Sequence, residues 1–443
     1  SYTNRQGNPP GGEGNITKDP WFVDSGSGDY HLLPGSVCID AGDPSLTDAD
    51  GTRRDMGRYI YYQPYLGPTW YVSVNGNNAS GDGSAENPFS TILAGINTAL
   101  EGHTVLVEPG TYSGEGNRDI YFNGKGITLR STHGPDSTIV DAGGGNRRVF
   151  VFEPHGSYPA ETDATMIEGF TIQGGYFNNG TDGAGIYISN ASPVFNNCII
   201  QNNEVYHFAN NSHPYGGGIY INNSSSSFTG CSILNNKASG HVNSSYDTFP
   251  YGGGMFITGS SSITIDSSLI ADNWSYGYDQ DGNNDSRAYM RGAGIYLEGG
   301  VLTLTNSELS NNLNSGDGQE LTREGAGLYV AGGTANISYT LIDHNSGAQG
   351  VYNRSAVTID QSVIADNGSH GLYGEAGSIS VSNTIIWGNS SNDAGSITYS
   401  YTNRQGSPPD GEGNITKDPW FVDSGNRDYR LLPGSVSINR GDP

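Results

Sequence analysis

Two acidic turns have the most chemically suggestive spacing in this sequence. Asp48, Asp50 and Asp55 fall in DADGTRRD, and Asp279, Asp281 and Asp285 fall in DQDGNND. Carboxylates alternating around a glycine turn can wrap a hard cation, so calcium is the one cofactor these residues suggest; neither turn has the distal Glu that completes an EF-hand loop. Read plainly, the same residues are solvated turn tips. Acid–base chemistry on sugars finds less support. Glycoside hydrolysis needs paired carboxylates about 5 to 9.5 Å apart, and elimination from a uronate needs a Lys or Arg base beside a cation. Between residues 151 and 290 the only such bases are Lys237 and Arg287, with no recurrent acidic partner on their strands. His370, in SHG, reads as a surface loop residue, and no catalytic residue is assigned.

These residues must be positioned by a repeat. Between Gly183 and Asn389 the phrases GAGIYI, GGGIYI, GGGMFI, GAGIYL and GAGLYV recur, followed by QGVYN and HGLYG. Each unit closes on an apolar-then-Asn phrase, the last residues being Asn203, Asn236, Asn273, Asn312, Asn345, Asn367 and Asn389, at spacings of 33, 37, 39, 33, 22 and 22. A basic unit of about 21 to 23 residues, lengthened by polar insertions, matches one coil of an all-β solenoid, the parallel β-helix, with three strands per coil and coils about 4.8 Å apart.

Stacking turns equivalent positions into vertical neighbours. Ile200, Ile233, Ile270, Leu309, Ile342, Ile364 and Ile386 should form a core column, and Cys198, Cys231, Ser268, Ser307, Thr340, Ser362 and Thr384 a column of small residues. Cys198 and Cys231 then lie one above the other, as buried thiols or as a disulfide. The closing Asn column should be structural, because Asn tolerates the left-handed conformation and its amide can bond to the next amide in the stack. Alternation puts Tyr187, Tyr220, Phe256, Tyr296, Tyr329, Tyr352 and Tyr373 outward. That aromatic column either stiffens the rod by mutual stacking or offers a platform for sugar rings or lateral contact. The Tyr-, Asn- and His-rich insertions all leave one corner and should pile into a loop wall, where recognition usually resides.

Composition narrows the partners. Gly contributes 67 of 443 residues, hydrophobic residues are 34% and charged ones 15%, which excludes helical bundles and coiled coils. Forty-five acidic residues against 20 basic ones give a net charge of -25, so nucleic acid is excluded as a partner. No run of about 18 apolar residues is present, so no membrane insertion is expected. Three Cys cannot build a disulfide framework.

A second, longer period relates residues 1–44 to 400–443, at a shift of 399 with 36 of 44 positions identical. The chain reads as a little more than one period of a longer array, with Pro443 a cut, or as a processed subunit with matching ends. The expected organisation is 1–62 as the terminal module of a preceding repeat, 63–69 as a linker, 70–103 as an N-terminal cap, 104–399 as the β-helix of eleven or twelve coils, and 400–443 as the start of the next terminal module. Within the cap, Ser90 should N-cap a short helix over 91–100, with Ile92, Ile96 and Leu100 on its buried face.

The phrases YVSVNGNN, DGSAENPFSTILAGINTAL, VEPGTYSG, FNGKGITLRS, IEGFTIQGG, GGGIYI and TIIWGN together resemble the bacterial surface and secreted right-handed parallel β-helix repeat proteins. DPWFVD, DYHLLPGSVCIDAGDP and DADGTRRDMGRYIY resemble the closing module that follows such helices, often before a cell-surface anchoring tail; here the module leads into another helix, which favours a tandem array. The resemblance implies an extracellular or cell-surface location. The stacked columns and the repeated end segments point to a structural or adhesive repeat module that extends a fibre or matrix filament by head-to-tail self-association, one copy's terminal module touching the next copy's first coils near Trp70 to Leu100. The alternative is a carbohydrate-binding or polysaccharide-processing, lyase-like β-helix that contacts glycans or a cell surface through the aromatic column and the loop wall. The NTD, DD, GHG and RIK phrases of polygalacturonase-like chains and the YGFDPH phrase of alginate epimerases are absent.

Overall fold

The architecture comes from a computed structural model, which describes every residue except 1, 8–10, 64, 179–181, 210, 243–246, 280–286, 318–319, 408 and 443, and the side chain of 279. Three columns of short parallel strands wind around one continuous core. One column runs through Ile186–Ser189, Ile219–Asn222, Met255–Thr258, Ile295–Leu297 and Leu328–Val330, and a second through Val194–Asn196, Ser227–Thr229, Ser262–Asp266, Val301–Thr305 and Thr334–Ser338. The third is an eleven-stranded sheet from Gly110–Ser113 to Asn403–Arg404. In it Ile200, Ile233, Ile270, Leu309, Ile342, Ile364 and Ile386 are successive register partners, all buried. Each such side chain contributes about 2 kcal/mol of burial, which a chain this rich in glycine needs from nearly every coil.

The closing asparagines form a buried amide ladder. Nδ2 of Asn203, Asn236, Asn273, Asn312 and Asn345 each donates to Oδ1 of the next Asn at 3.0 to 3.1 Å, and the backbone N–H of each donates to the same oxygen at 3.0 to 3.1 Å. The left-handed residue is not the closing Asn itself but the one before it: Asn202, Asn235, Asp272, Asn311 and His344 have φ of 52 to 56°. The backbone turns there, so the next side chain points inward. Gly218 packs against this ladder so closely that a Cβ would lie 2.8 Å from the Asn236 carboxamide carbon.

The small-residue column is a second ladder, in which Cys231 N–H donates to Ser268 Oγ at 3.0 Å and Ser268 N–H to Ser307 Oγ at 3.1 Å. Cys198 and Cys231 are buried free thiols, each directed at main-chain carbonyls.

Three sequence expectations need correction. The cap helix α1 spans Ile92–Thr98 and is N-capped by Thr91, not Ser90; Leu100 falls beyond it and is 64% exposed. Ile92 and Ile96 alone seal the first coil, where Gly95 lets the helix approach Val72 and Val105. The insertions are not a loop wall but a further parallel sheet: Tyr176–Asn178, Glu204–Phe208, Lys237–Val242, Trp274–Asp279 and Leu313–Asp317. The Asn ladder one residue upstream already sets coil-to-coil register, so the insertions' backbone groups arrive level with each other and pair.

The two copies of the end module fold alike. Hairpin Phe22–Asp24 with Asp29–Leu32 has the same antiparallel register as Phe421–Asp423 with Asp428–Leu431, and the Asn4–Ile16 bridge recurs as Asn403–Ile415. The second copy continues the β-helix: the 399/400 boundary falls inside strand Ala394–Ser400, and Asn403–Arg404 pairs in parallel with Ile385–Trp387.

Candidate functional site

The seven outward aromatic residues stack on one another. Ring centroids along Tyr187, Tyr220, Phe256, Tyr296, Tyr329, Tyr352 and Tyr373 are 5.0 to 5.6 Å apart with planes within 19°. A second tier roofs the middle of the ladder: Tyr215 lies 4.5 Å from Phe256, Tyr251 4.6 Å from Tyr296, and the Arg291 guanidinium 5.2 Å from Tyr329. Arg291 also donates to Tyr251 Oη at 3.0 Å and to Glu324 at 2.6 Å. Burial pushes the Tyr251 hydroxyl up to about 12, with Arg291 partly offsetting it. Phe256, Tyr296, Tyr329 and Tyr352 are buried, and their faces are covered by neighbouring rings, whereas Tyr187, Tyr220 and Tyr373, toward the two ends, are half-buried. At its first end the Arg148 guanidinium covers Tyr187, 4.6 Å from the ring.

The acidic turns divide. Asp48 Oδ2 accepts Asp55 N–H at 2.6 Å, Asp50 accepts Thr52 N–H and Gln63 N–H at 3.1 and 3.0 Å, and Asp55 accepts Asp40 N–H and Tyr61 N–H at 2.8 and 2.6 Å. These carboxylates close their own turn. Burial raises Asp55 from its ordinary value, and nearby Asp48 and Asp40 add to the rise. Among the described residues no three His, Cys, Asp or Glu side chains are arranged to hold an ion. Asp281 and Asp285 lie outside the described residues, as does the side chain of Asp279.

The open aromatic surface is on the insertion sheet, which the sequence signalled only as a Tyr- and His-rich composition. Its positions on the face away from the core are Tyr176, Glu204, Lys237 and Trp274 in one register line, Tyr206 and Tyr276 on either side of the buried Ser239 in a second, and His241 and Tyr278 in a third. Trp274 is 45% exposed, and Tyr176, Tyr206, Tyr276, Tyr278 and His241 are half-buried. Tyr176 lies 6.4 Å from Tyr206, Tyr206 4.6 Å from His241, and His241 5.2 Å from Tyr278, so the rings form one patch about 14 Å long across four coils.

Charge enters the patch at one point. Lys237 Nζ is 3.4 Å from Glu204 Oε1 one coil away, 4.6 Å from the Tyr276 ring and 5.9 Å from the Trp274 ring. Lys237 therefore has an acidic partner on the adjacent strand, as Arg287 has in Glu320 at 2.7 Å. Burial, with a smaller effect of Lys237, pushes His241 down to about 4, leaving its imidazole neutral at neutral pH. The surface thus combines apolar ring area, a neutral imidazole, phenol hydroxyls and an ion-paired ammonium.

Residues 160–317 match the family model described as the right-handed beta helix region. The chain is a right-handed parallel β-helix protein. No curated protein matches this β-helix chain in sequence. Among solved structures, a rhamnogalacturonan lyase is 13% identical, with 80% of this chain and 91% of that one covered at a TM-score of 0.48. Pectate lyase Pel9A is 17% identical over 84% and 91%, with a TM-score of 0.43. The A-module of the Azotobacter vinelandii mannuronan C-5 epimerase AlgE6 is 13% identical over 72% and 96%, with a TM-score of 0.30. At such identities and scores the activities in those names do not carry over to this β-helix. Among the described residues no helix is long and apolar enough to cross a membrane.

Proposed function

We propose that this β-helix binds an extracellular polysaccharide along its insertion sheet, with Trp274, Tyr276, Tyr278, Tyr206 and His241 as the contact surface and the Lys237–Glu204 pair as its polar anchor. The observation that carries this reading is the partly exposed aromatic patch that Tyr176, Tyr206, His241, Trp274, Tyr276 and Tyr278 hold in register across four coils. Aromatic side chains with one apolar face and one polar tip suit a ligand whose rings carry C–H faces and hydroxyl edges. A patch about 14 Å long accommodates two or three sugar units, and the strands that carry it are rigid before the ligand arrives. The paired ammonium of Lys237 favours an acidic sugar, whose carboxylate it would meet beside Tyr276.

Affinity electrophoresis of the chain in gels containing neutral, acidic and amino polysaccharides tests this. Retardation by at least one acidic polymer is expected. The Trp274→Ala, Tyr276→Ala double variant should weaken it at least tenfold, about 1.4 kcal/mol, while Tyr158→Ala, on another exposed loop, should leave it unchanged. Absence of retardation by every polymer, or an unaffected double variant, overturns the reading. Production of unsaturated uronate at 235 nm would extend binding to processing.

A further inference from the structure

The second copy of the end module shows what the first copy's matching surface is shaped to meet. In the second copy, Asn403 N–H donates to Thr384 O and Gln405 N–H to Ile386 O, both at 3.0 Å, adding one more parallel strand to the end of the β-helix. Tyr429 Oη donates to Asp366 at 2.8 Å and is 9% exposed. Arg427 forms a two-bond pair with the fully buried Asp343 carboxylate, at 2.7 and 2.8 Å, and also reaches Glu308. The first copy has the same internal bonds, with Arg5 N–H to Ile16 O matching Arg404 N–H to Ile415 O, both 3.1 Å. Yet its Tyr30, the counterpart of Tyr429, is 50% exposed. Among the described residues, the Asn4–Ile16 bridge is the one strand pairing of segment 4–6. The continuation through Met56 packs on Leu32 and Cys38, and Cys38, Arg54 and Met56 form one wall of the groove beside this segment. A strand edge and a hairpin face therefore stand ready beside an open groove lined in part by Tyr2, Asn4 and Phe22.

We propose that this face of the first module is a socket for the C-terminal coil of another right-handed β-helix, one that is uncharged where this chain has Asp343 and Glu308. The occupant's fold follows from the second copy, which seats the same face on such a coil. Its chemistry follows from the substitutions. Position 28 is Gly where the second copy has Arg427, and position 31 is His where it has Arg430. A second copy of this chain would set the buried Asp343 carboxylate opposite a glycine, without the two-bond guanidinium pair that Arg427 gives it here and with only its neighbour His344, 2.9 Å away, left beside it, a costly arrangement. The socket thus selects against this chain's own β-helix and for a related one. In such an assembly the module meets another helix's last coils.

The test is an extended chain in which residues 70–399 precede Ser1 of the full sequence, reproducing the natural 399–400 junction, with Asp343→Asn and Glu308→Gln in the added helix only. Hydrogen exchange at 3–6 and 22–32 is expected to slow at least tenfold against the unextended chain, with Tyr30 shielded from iodination. The added helix left charged should protect the module less, and Gly28→Arg should restore protection. An added helix that is itself protected at residues 199–201 while 3–6 stays unprotected overturns the socket. Equal protection by the charged and neutral helices overturns the charge selection. Should the added helix fail to fold, Arg427→Gly in the chain as it stands is expected to accelerate exchange at 403–405; unchanged exchange there overturns the role assigned to this position.

Discussion

Each closing asparagine satisfies several buried groups at once. Asn273 Nδ2 donates to Ile233 O at 2.8 Å, Ala271 O at 3.0 Å and Asn312 Oδ1 at 3.0 Å, and its Oδ1 accepts from both nitrogens of Asn236. Asn273→Ala would leave these partners unpaired in a water-free corner and is expected to cost about 2 to 5 kcal/mol, read from the urea midpoint. Asn273→Asp should be no milder, because the acid keeps the acceptor but removes the donor. A cost below about 1 kcal/mol would mean that the ladder is incidental to the fold. The ladder was legible in the sequence because one residue type recurs at one phase. The site residues were not, since Tyr206, Lys237, Trp274 and Tyr276 differ from coil to coil and only the pairing register brings them together. The outward aromatic column was legible as a column but not as a covered one; Tyr215, Tyr251 and Arg291, which roof it, share the position just before the Gly motif of each coil, but nothing in the sequence says that side chains there fold over the column.

The insertion sheet is the element whose stability should depend on acidity. His207, His213 and His241 sit in or beside it, and burial lowers all three below the ordinary value of 6.5, His241 to about 4. A histidine held neutral in the fold is protonated more readily in the unfolded chain. Its contribution is therefore complete above pH 6.5 and disappears as pH falls toward 4. The urea midpoint is expected to fall between pH 7 and pH 4.5, and His241→Gln should flatten that fall. Because Asp55, Glu161 and Asp393 have raised values that act in the opposite sense over part of this range, the comparison is between parent and variant at each pH. Identical slopes would show that His241 does not titrate with the sheet. The sheet's presence was hidden in the sequence because polar insertions carry no apolar alternation; they pair because the coil beneath them is already in register.

At the scale of the whole molecule, each coil touches only its neighbours, so the cost of a defect depends on where along the rod it falls. Ile270 has strands on both sides, from Ile233 and Leu309, whereas Ile386 is followed only by the short Asn403–Arg404 strand and the end module. Either residue changed to Ala removes a comparable buried side chain, about 2 to 5 kcal/mol. The consequences should nevertheless differ. Ile386→Ala is expected to raise hydrogen exchange in 372–404 while leaving 199–201 and 232–234 at parental rates, because the end can open without disturbing the coils behind it. Ile270→Ala should raise exchange on both sides, in 232–234 and 308–310 together, because a gap in the middle weakens two interfaces. Uniform acceleration from either substitution would mean that the rod opens only as one cooperative body. The end module would then serve as part of that body, and not as the local clamp that Arg427 and Tyr429 make of it by gripping Glu308, Asp343 and Asp366.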